Sequence, residues 1–319
     1  MESLRWLFVK VRNVPRYALA LLLVLFVFLA VFYYPIGMLA MNRIDDDRHF
    51  AASPEFDIAG GSHAVAITEA LIVREVKSHH WVPNDPFFYP SSMLIRMPAF
   101  QRGIVASLSR FAVELSDQIG RARGSSQIDP DLEKAAGLLK YSPNVWIFDI
   151  STSLLPTTPS ETQYLAAAEL LRKYNERLAK GQATFDRRSD NLMEALERIS
   201  TDMGSSSAVL DTHIRDYSHK LLDHDAAKQF YFIKGRMYAD YLLLRELKRD
   251  FPDIIKEKNL GDAWDSVLVS LAEGAELGHF FVFNADPDDQ FLPNHLAVQG
   301  FYLLRARTQL REVTNILLK

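Results

Sequence analysis

The densest group of ionisable side chains lies in residues 211–225, which read DTHIRDYSHKLLDHD. On a helix, Asp216, His219 and Asp223 stand three and then four residues apart, so they would share one face. Two carboxylates and an imidazole on one face are groups that acid–base catalysis or a divalent metal ion would use. The same spacing is typical of a solvated helix surface near a junction, and no other segment is spaced to complete a site. These three residues are the catalytic candidates that the sequence offers.

A second group, His79, His80 and Asp85, has the residue types of a metal site but not the spacing. Adjacent histidines point in different directions on a helix, and no third ligand is placed to join them. Cationic imidazoles that favour the C-terminal end of a helix also account for the pair. The acidic segment 284–290 lacks the alternating ligands, the glycine and the distal Glu of an EF-hand loop. The sequence therefore predicts no bound metal and no cofactor.

The chain contains no cysteine among its 319 residues. This excludes disulfides, thiolate catalysis, cysteine-ligated metal and a lipoprotein anchor. No Gly-x-Ser-x-Gly motif occurs, so no serine has the setting of a nucleophile elbow. The 36 basic and 40 acidic residues give a formal net charge of −4, which argues against nucleic acid as a partner.

Helices must position these side chains, because apolar residues recur at helical spacing along most of the chain. The clearest apolar stripe follows Pro98 and contains Phe100, Ile104, Leu108, Phe111, Leu115 and Ile119. Ser62, Asp129 and Asn294 precede apolar runs and are predicted to be helix N-caps. The fold class that follows is all-α: one N-terminal transmembrane helix and then a multi-helix soluble domain of about eight to ten helices.

Two further helix boundaries are predicted from local signals. Ser160 and Gln163 fit a capping box that would begin the helix stopped by Gly181. A helix that begins at Thr184 is expected to end near Gly204, where a run of three serines would form a turn.

The longest uncharged stretch is Tyr17–Met41, YALALLLVLFVFLAVFYYPIGMLAM. At ~1.5 Å per residue, a helix of this length reaches ~37 Å, enough to cross a ~30 Å hydrocarbon layer with some tilt. Tyr17, Tyr33 and Tyr34 stand where interfacial aromatic residues would stand. We predict a transmembrane helix. A buried core helix and a cleaved signal peptide are the alternatives; the length argues against both, and Met38 stands where a cleavage site needs a small residue.

The charged residues that flank this stretch predict its orientation. Arg5, Lys10, Arg12 and Arg16 precede it with one acid, whereas three aspartates and two arginines follow it closely. The side richer in Lys and Arg remains in the cytoplasm, so the N-terminus should be cytoplasmic and the C-terminal domain periplasmic. We therefore expect a single-pass protein of the bacterial inner (cytoplasmic) membrane.

This topology divides the chain into four parts: a cytoplasmic basic segment (1–16), the transmembrane helix (17–41), a linker (42–61) and a helical periplasmic domain (62–319). The linker is recognised by its acids, its Ser-Pro pair and its paired glycines. Its composition predicts that the domain after it folds on its own.

The segment 79–92, HHWVPNDPFFYPSS, contains four aromatic residues and three prolines, which are incompatible with a helix. We expect a structured loop in which Trp81, Phe87, Phe88 and Tyr89 are mainly buried, wedging the following helix against the final one. An exposed surface for a partner is the alternative.

Four segments are distinctive: WVPNDPFFYPSSMLIRMPAFQRG, DQIGRARGSSQIDPDL, LLKYSPNVWIF and HLAVQGFYLLRARTQLRE. In this order they resemble a family of bacterial proteins of unknown function, about this length, with one N-terminal membrane anchor. The resemblance covers most of the chain after the anchor. It implies a bacterial envelope protein with a helical domain, and it implies no activity, cofactor or catalytic residue.

Two classes of function remain open. In the first, the protein is a membrane-anchored periplasmic scaffold, adaptor or assembly factor of the cell envelope, with no catalytic activity. It would contact the membrane through residues 17–41 and bind an envelope protein partner. In the second, it is an envelope enzyme, a hydrolase acting on cell wall or lipid, that uses the face of Asp216, His219 and Asp223. The enzyme requires that segments 79–92 and 211–225 meet in one pocket.

Overall fold

A computed structural model describes residues 16–120, 128–148, 155–217, 223–286 and 289–319. Within these residues every regular element is a helix and no β-strand occurs. The helices comprise one apolar N-terminal helix and a helical body, so the prediction of an all-α chain is confirmed.

The apolar helix consists of α1 (Arg16–Phe28), a π-helical turn (Leu29–Tyr33) and α2 (Tyr34–Met41). It is long and apolar enough to cross a membrane, and its most apolar residues are not buried against the body. Nine α-helices follow in the described parts of the chain, within the predicted eight to ten: α3 (His63–Val73), α4 (Arg96–Glu114), α5 (Pro130–Leu139), α6 (Ser160–Ala179), α7 (Ser189–Tyr217), α8 (His224–Asp250), α9 (Pro252–Glu257), α10 (Gly261–Glu276) and α11 (His295–Leu317).

Helices α4 and α8 cross at two glycines, which brings their backbones into direct contact. A Cβ at Gly103 in α4 would lie 2.0 Å from the carbonyl oxygen of Phe232. A Cβ at Gly235 in α8 would lie 2.1 Å from the carbonyl oxygen of Phe100. No side chain fits into such distances, so the crossing requires glycine on both helices.

The other helices pack around this pair. Helix α3 lies against α8 and α6, α10 lies against α8, and α5 contacts both α4 and α6. Helix α11 packs against α7 and α10. The largest side chains buried between them are Trp81, Trp264, Tyr164, Tyr174 and Tyr238. Helix α8 is thus the centre of the body, with neighbours on most of its sides.

The predicted N-caps are confirmed. Ser62, Asp129 and Asn294 each accept a hydrogen bond from a backbone N–H in the first turn of the helix that follows. Such bonds satisfy donors that have no partner within the helix. At α3 the carboxylate of Asp250, from the end of α8, also accepts from the Ser62 hydroxyl at 2.6 Å and from the backbone N–H of His63 at 2.8 Å. The start of α3 is therefore fixed to the end of α8.

One predicted break is wrong, because α7 continues from Ser189 to Tyr217 without a turn at Gly204. The guanidinium of Arg307 in α11 packs against this glycine, 2.7 Å from the position that a Cβ would occupy. The contact between α7 and α11 outweighs the local signal for a turn, since burial of a helix face stabilises more than one glycine costs.

The predicted capping box at α6 is also wrong. Pro159 holds the N-cap position and makes no side-chain cap. The hydroxyl of Ser160 instead donates to the carbonyl oxygen of Ser142 at 2.7 Å and accepts from the backbone N–H of Val145 at 3.0 Å. It fixes the preceding loop to the helix rather than capping the helix itself.

The predicted linker, residues 42–61, has no regular secondary structure but is bound along α8, and we call it the strap. Three contacts follow α8 toward its C-terminal end: the Asp46 carboxylate with the Lys234 ammonium (2.6 Å), the Asp47 carbonyl with the Tyr238 hydroxyl (2.9 Å), and the Phe50 carbonyl with the Arg245 guanidinium (2.6 Å). The composition predicted the irregular backbone, whereas these contacts depend on residues almost 200 positions away.

Two buried cations hold the strap. Lys234 donates to Asp46 and also to the carbonyl oxygens of Ala275 and Leu277, each at 2.6 Å, at the C-terminal end of α10. Burial lowers the pKa of Lys234, and the hydrogen bond to Asp46 opposes this effect. A buried ammonium is costly unless it is paired, so α8 and α10 depend on the strap for a partner.

The second cation is Arg74, on the π-helical turn Arg74–Ser78 that extends α3. It donates to the hydroxyl of Tyr238 at 2.8 Å, to Glu75 at 2.9 Å and to the carbonyl oxygen of Asp45 at 3.0 Å. Its guanidinium also lies 4.4 Å from the ring centre of Phe50. The strap thereby contacts α3 as well as α8.

The glycine crossing gives a direct test of the packing. We expect Gly103→Ala to destabilise the body by about 1–3 kcal/mol or more, because overpacking at this position must separate two backbones. Gly137→Ala in α5 is the matched control: its Cβ would meet nothing within 4 Å, so the helix should gain up to roughly 1 kcal/mol. The measurement is thermal unfolding of both variants followed by circular dichroism. Equal melting temperatures for Gly103→Ala and the wild type would refute the crossing.

Candidate functional site

The three predicted catalytic residues do not share a helix face in the described part of the chain. The described part of α7 ends at Tyr217, and Asp223 has extended backbone at the N-cap of α8. Asp216 is exposed and pairs with Arg215, while His219 lies outside the described residues. The prediction of a common face for Asp216 and Asp223 is wrong, because they belong to different helices.

Asp223 pairs instead with His213, which precedes Asp216 by three residues on α7. The distance from His213 Nε2 to Asp223 Oδ2 is 2.7 Å, and both side chains are nearly buried. The other carboxylate oxygen of Asp223 accepts from the backbone N–H groups of Asp225 and Ala226, which caps α8. The pair joins the end of α7 to the start of α8. It was missed from the sequence because His213 does not fall on the face predicted for the other three residues.

An apolar cleft of about 280 Å³ lies beside this pair. Its walls include Asp223 and His224 at the start of α8, Met93 just before α4 and Arg96 at its start, and Phe280 and Phe281 from the loop after α10. The guanidinium of Arg96 lies 4.9 Å from the ring centre of Phe280, within the range of a cation–π contact. The cleft is thus bounded by aromatic rings, one guanidinium, one carboxylate and one imidazole.

The described lining of the cleft matches the enzyme alternative only in part. No serine or threonine lines it within the described residues, and its one carboxylate, Asp223, is engaged by His213 and by the helix cap. Of the two segments that the enzyme alternative requires in one pocket, only 211–225 contributes; the cleft begins at Met93, just beyond segment 79–92. In the described residues the His213–Asp223 pair joins two helices, and Ser218, which lies between them in sequence, is outside the described residues.

His79 and His80 bind different carboxylates and do not converge. His79 Nδ1 lies 3.3 Å from Glu75 and His80 Nε2 lies 3.0 Å from Asp85, which raises the pKa of His80. His80 has φ 63°, in the left-handed region, and its carbonyl oxygen accepts from Gln101 at 2.8 Å. Among the described residues, no group of three or more His, Asp or Glu side chains is arranged to hold a metal ion. The absence of a metal stays a prediction.

Asp240, in the middle of α8, is a buried carboxyl whose pKa is perturbed. Burial raises its pKa to about 6, and Arg236 and Ser107 oppose the rise. Perturbed pKa values often mark catalytic groups. The crevice beside Asp240, however, has a volume of only about 10 Å³, which is room for about one water molecule. Asp240 therefore belongs to the packing between α4, α7 and α8 and not to a substrate site.

The predicted aromatic loop contains one buried ring and three exposed rings. Trp81 is 1% exposed, and its ring lies 5.0 Å edge-on from Tyr164 of α6. Phe87, Phe88 and Tyr89 are 83%, 44% and 37% exposed. The prediction of burial is right for Trp81 and wrong for the other three. Trp81 packs on α6 and does not wedge α4 against the final helix.

The exposed rings belong to an aromatic patch, defined as Phe87, Phe88, Tyr89, Met93, Trp146 and Phe148. The ring centres of Phe88 and Trp146 are 5.6 Å apart, and those of Trp146 and Phe148 are 5.7 Å apart. Two loops distant in sequence therefore form one surface. No charged residue occurs between Asp85 and Arg96, so this part of the patch is neutral.

The patch adjoins the end of the apolar helix. The Tyr33 hydroxyl donates to the carbonyl oxygen of Phe88 at 3.1 Å, and the Tyr34 hydroxyl donates to that of Phe87 at 3.2 Å. We call this contact, together with the packing described next, the helix–loop junction.

Gly37 and Pro90 complete the helix–loop junction. A Cβ at Gly37 would lie 2.4 Å from Pro90 Cγ, so the glycine makes room for the proline ring. Helix α2 also contacts the 3-10 turn Pro90–Met93 that this proline begins. This contact was not predictable from the sequence, because a glycine within a helix indicates lower helix stability and not a packing partner.

The fold defines the class of protein: an all-helical body joined to one N-terminal apolar helix. Residues 14–229 match a family described as an uncharacterised protein conserved in bacteria. Because this match covers more than half of the chain, the protein belongs to that family, DUF2333, and the resemblance noted from the sequence is confirmed. The match includes the helix–loop junction, the strap and the aromatic loop. No curated protein and no solved structure matches the chain.

The raised pKa of Asp240 predicts how stability depends on pH. Its folded-state pKa of about 6 lies above the ordinary value of a carboxyl group. The stabilisation of the folded state by protonated Asp240 is therefore fully present below about pH 4. It is lost as the pH rises through 6. Asn does not ionise, so Asp240→Asn should not lose stability in this way. We expect its free energy of unfolding, relative to that of the wild type, to increase by roughly 2–3 kcal/mol between pH 4 and pH 7. Urea unfolding at both pH values measures the difference, and parallel changes in the two proteins would contradict the assignment.

Proposed function

We propose that the protein is a membrane-anchored, non-enzymatic scaffold or adaptor of the bacterial cell envelope, and that its apolar helix is a permanent anchor. The observation that carries the proposal is the helix–loop junction. A signal sequence is removed from the mature protein. Removal here would delete the hydroxyl donors of Tyr33 and Tyr34 and the packing of Gly37 on Pro90. A segment that contributes to the packing of the body is expected to remain attached to it.

The strap supports a second part of the proposal, that the body is held close to the apolar helix. It leads directly from the apolar helix to the buried cations Lys234 and Arg74, where Asp46 pairs with Lys234 and Asp45 adds a second carboxylate to Arg74. An anchor that served only as a tether would need no such contacts, because a flexible linker holds a domain near a membrane equally well. The contacts favour a body whose orientation relative to the anchor is fixed.

The orientation in the proposal follows from the flanking charges. Four basic residues precede the apolar helix and acids follow it, which places the N-terminus in the cytoplasm and the body in the periplasm. A bacterial family and a single apolar helix support the proposal that this membrane is the inner membrane.

An exposed apolar stripe on α11 supports the role of scaffold or adaptor. Val298, Phe301 and Leu304 recur every three residues on the solvent side of this helix, and Phe301 is 60% exposed. Exposed aromatic side chains on a helix face are typical of protein-binding surfaces. The proposed partner is an envelope protein that covers this stripe.

The anchor is tested by its fate in cells. We expect the full-length chain to stay in the membrane fraction after an alkaline wash. Alkaline phosphatase fused after Lys319 should be active, because it requires the periplasm. A chain that begins at Met41 provides the size standard for a cleaved product. Recovery of that shorter product from the periplasm, or an inactive phosphatase fusion, would refute the proposed anchor or its orientation.

The partner surface is tested by photo-crosslinking in intact cells. A photoreactive amino acid at Phe301 should give a discrete crosslinked protein. The same residue at Glu312, which is exposed further along α11, should not. Equal labelling from both positions, or none from Phe301, would remove the support that the stripe gives to the scaffold proposal.

A further inference from the structure

The helix–loop junction fixes the depth of the aromatic patch relative to the apolar helix. About 20 helical residues cross a ~30 Å hydrocarbon layer, so a span that begins at Tyr17 leaves the hydrocarbon near Ile36. Tyr33 and Tyr34 then lie at the outer boundary of the bilayer, where tyrosine is enriched. The carbonyl oxygens of Phe87 and Phe88 are within hydrogen-bond distance of these two hydroxyls. Groups that share a hydrogen bond share a depth, so the loop that carries the patch stands at the same level.

The side chains of the patch are of the types favoured at the membrane interface. It contains four kinds of apolar side chain, Phe, Tyr, Trp and Met, and its most prominent ring, Phe87, is almost wholly exposed. The carboxylate of Asp85, two residues before Phe87, is withdrawn from the surface by its bonds to His80 and Ser91. Exposed aromatic rings are favoured between headgroups and acyl chains and are disfavoured in water.

We infer that the aromatic patch inserts into the outer interface of the same bilayer that the apolar helix crosses, which gives the body a second contact with lipid. The inference rests on the proposed function, because it requires the helix to be a retained anchor. We expect lipid, rather than a protein, to cover the patch. The patch adjoins the anchor through Tyr33, Tyr34 and Pro90, and the bilayer surrounds the anchor at that depth.

A second contact sets the tilt of the body as well as its position. The strap runs along α8 from Lys234 toward Asp250, which bonds the start of α3 at the far end. Helix α8 has 27 residues and spans ~40 Å at ~1.5 Å per residue. Its N-terminal end shares a cleft with Met93 of the patch. The end at Asp250 and helix α9 therefore face away from the membrane.

The absence of cysteine makes a direct test possible, since an introduced thiol is the only labelling site. Single-cysteine full-length chains with Phe87→Cys, Met93→Cys, Leu25→Cys or Glu257→Cys are labelled with an environment-sensitive fluorophore. They are reconstituted in vesicles of phosphatidylethanolamine and phosphatidylglycerol. Nitroxide groups on the lipids, near the headgroup or deep in the acyl chain, then report contact and depth by quenching. Circular dichroism confirms that each labelled chain retains its helices.

We expect the probes at Phe87 and Met93 to show blue-shifted emission and to lose most of it to the shallow nitroxide. The probe at Leu25 in α1 should be quenched by the deep nitroxide, and the probe at Glu257 in α9 by neither. If the Leu25 probe is not quenched, the proposed anchor itself fails. If it is quenched while Phe87 and Met93 are not, the inference alone is overturned. A blue shift at Phe87 without lipid quenching would identify a second protein surface as the occupant and would also overturn it.

Discussion

The approach of α4 and α8 at Gly103 and Gly235 is the constraint on which the rest of the body depends. Two carbonyl oxygens lie where side chains would otherwise be, so the helices meet backbone to backbone at this point. This proximity leaves the other sides of α8 free for α3 and α10. It also places Lys234, the residue before Gly235, in the interior, where its ammonium reaches the last carbonyls of α10. A charge in that position would destabilise the fold without an anion, and the anion comes from outside the helical body.

That anion is Asp46 of the strap, and it connects the packing of the body to the apolar helix. Arg74 repeats the arrangement, since its partners Glu75 and Tyr238 come from the body and Asp45 comes from the strap. Surface ion pairs contribute little to stability, but removal of one partner from a buried pair is strongly destabilising. The strap is therefore part of the folded body. A boundary drawn at residue 61 would separate Lys234 from the carboxylate that neutralises it, and Arg74 from one of its two carboxylates.

The helices and their caps were predictable because both depend on residues close in sequence. Apolar periodicity identified the α4 stripe, and Ser62, Asp129 and Asn294 begin helices as expected. The errors arose where a distant residue decides the outcome. Arg307 packs against Gly204 within a continuous helix. The three exposed residues of the aromatic loop adjoin the apolar helix and the 146–148 loop rather than the core. The same limit applies to the candidate site: a spacing rule grouped Asp216 with Asp223, whereas the fold pairs Asp223 with His213.

The tie between the apolar helix and the body bears on what a scaffold must do. A partner that contacts both a membrane and a flexibly tethered domain must order the domain when it binds, and that loss of freedom weakens binding. The Tyr33 and Tyr34 hydrogen bonds, the Gly37 packing and the buried ion pairs of the strap restrict that freedom before any partner arrives. A preorganised body would present the α11 stripe at a fixed angle and height above the bilayer. Control of that geometry is the property that these buried contacts are suited to provide.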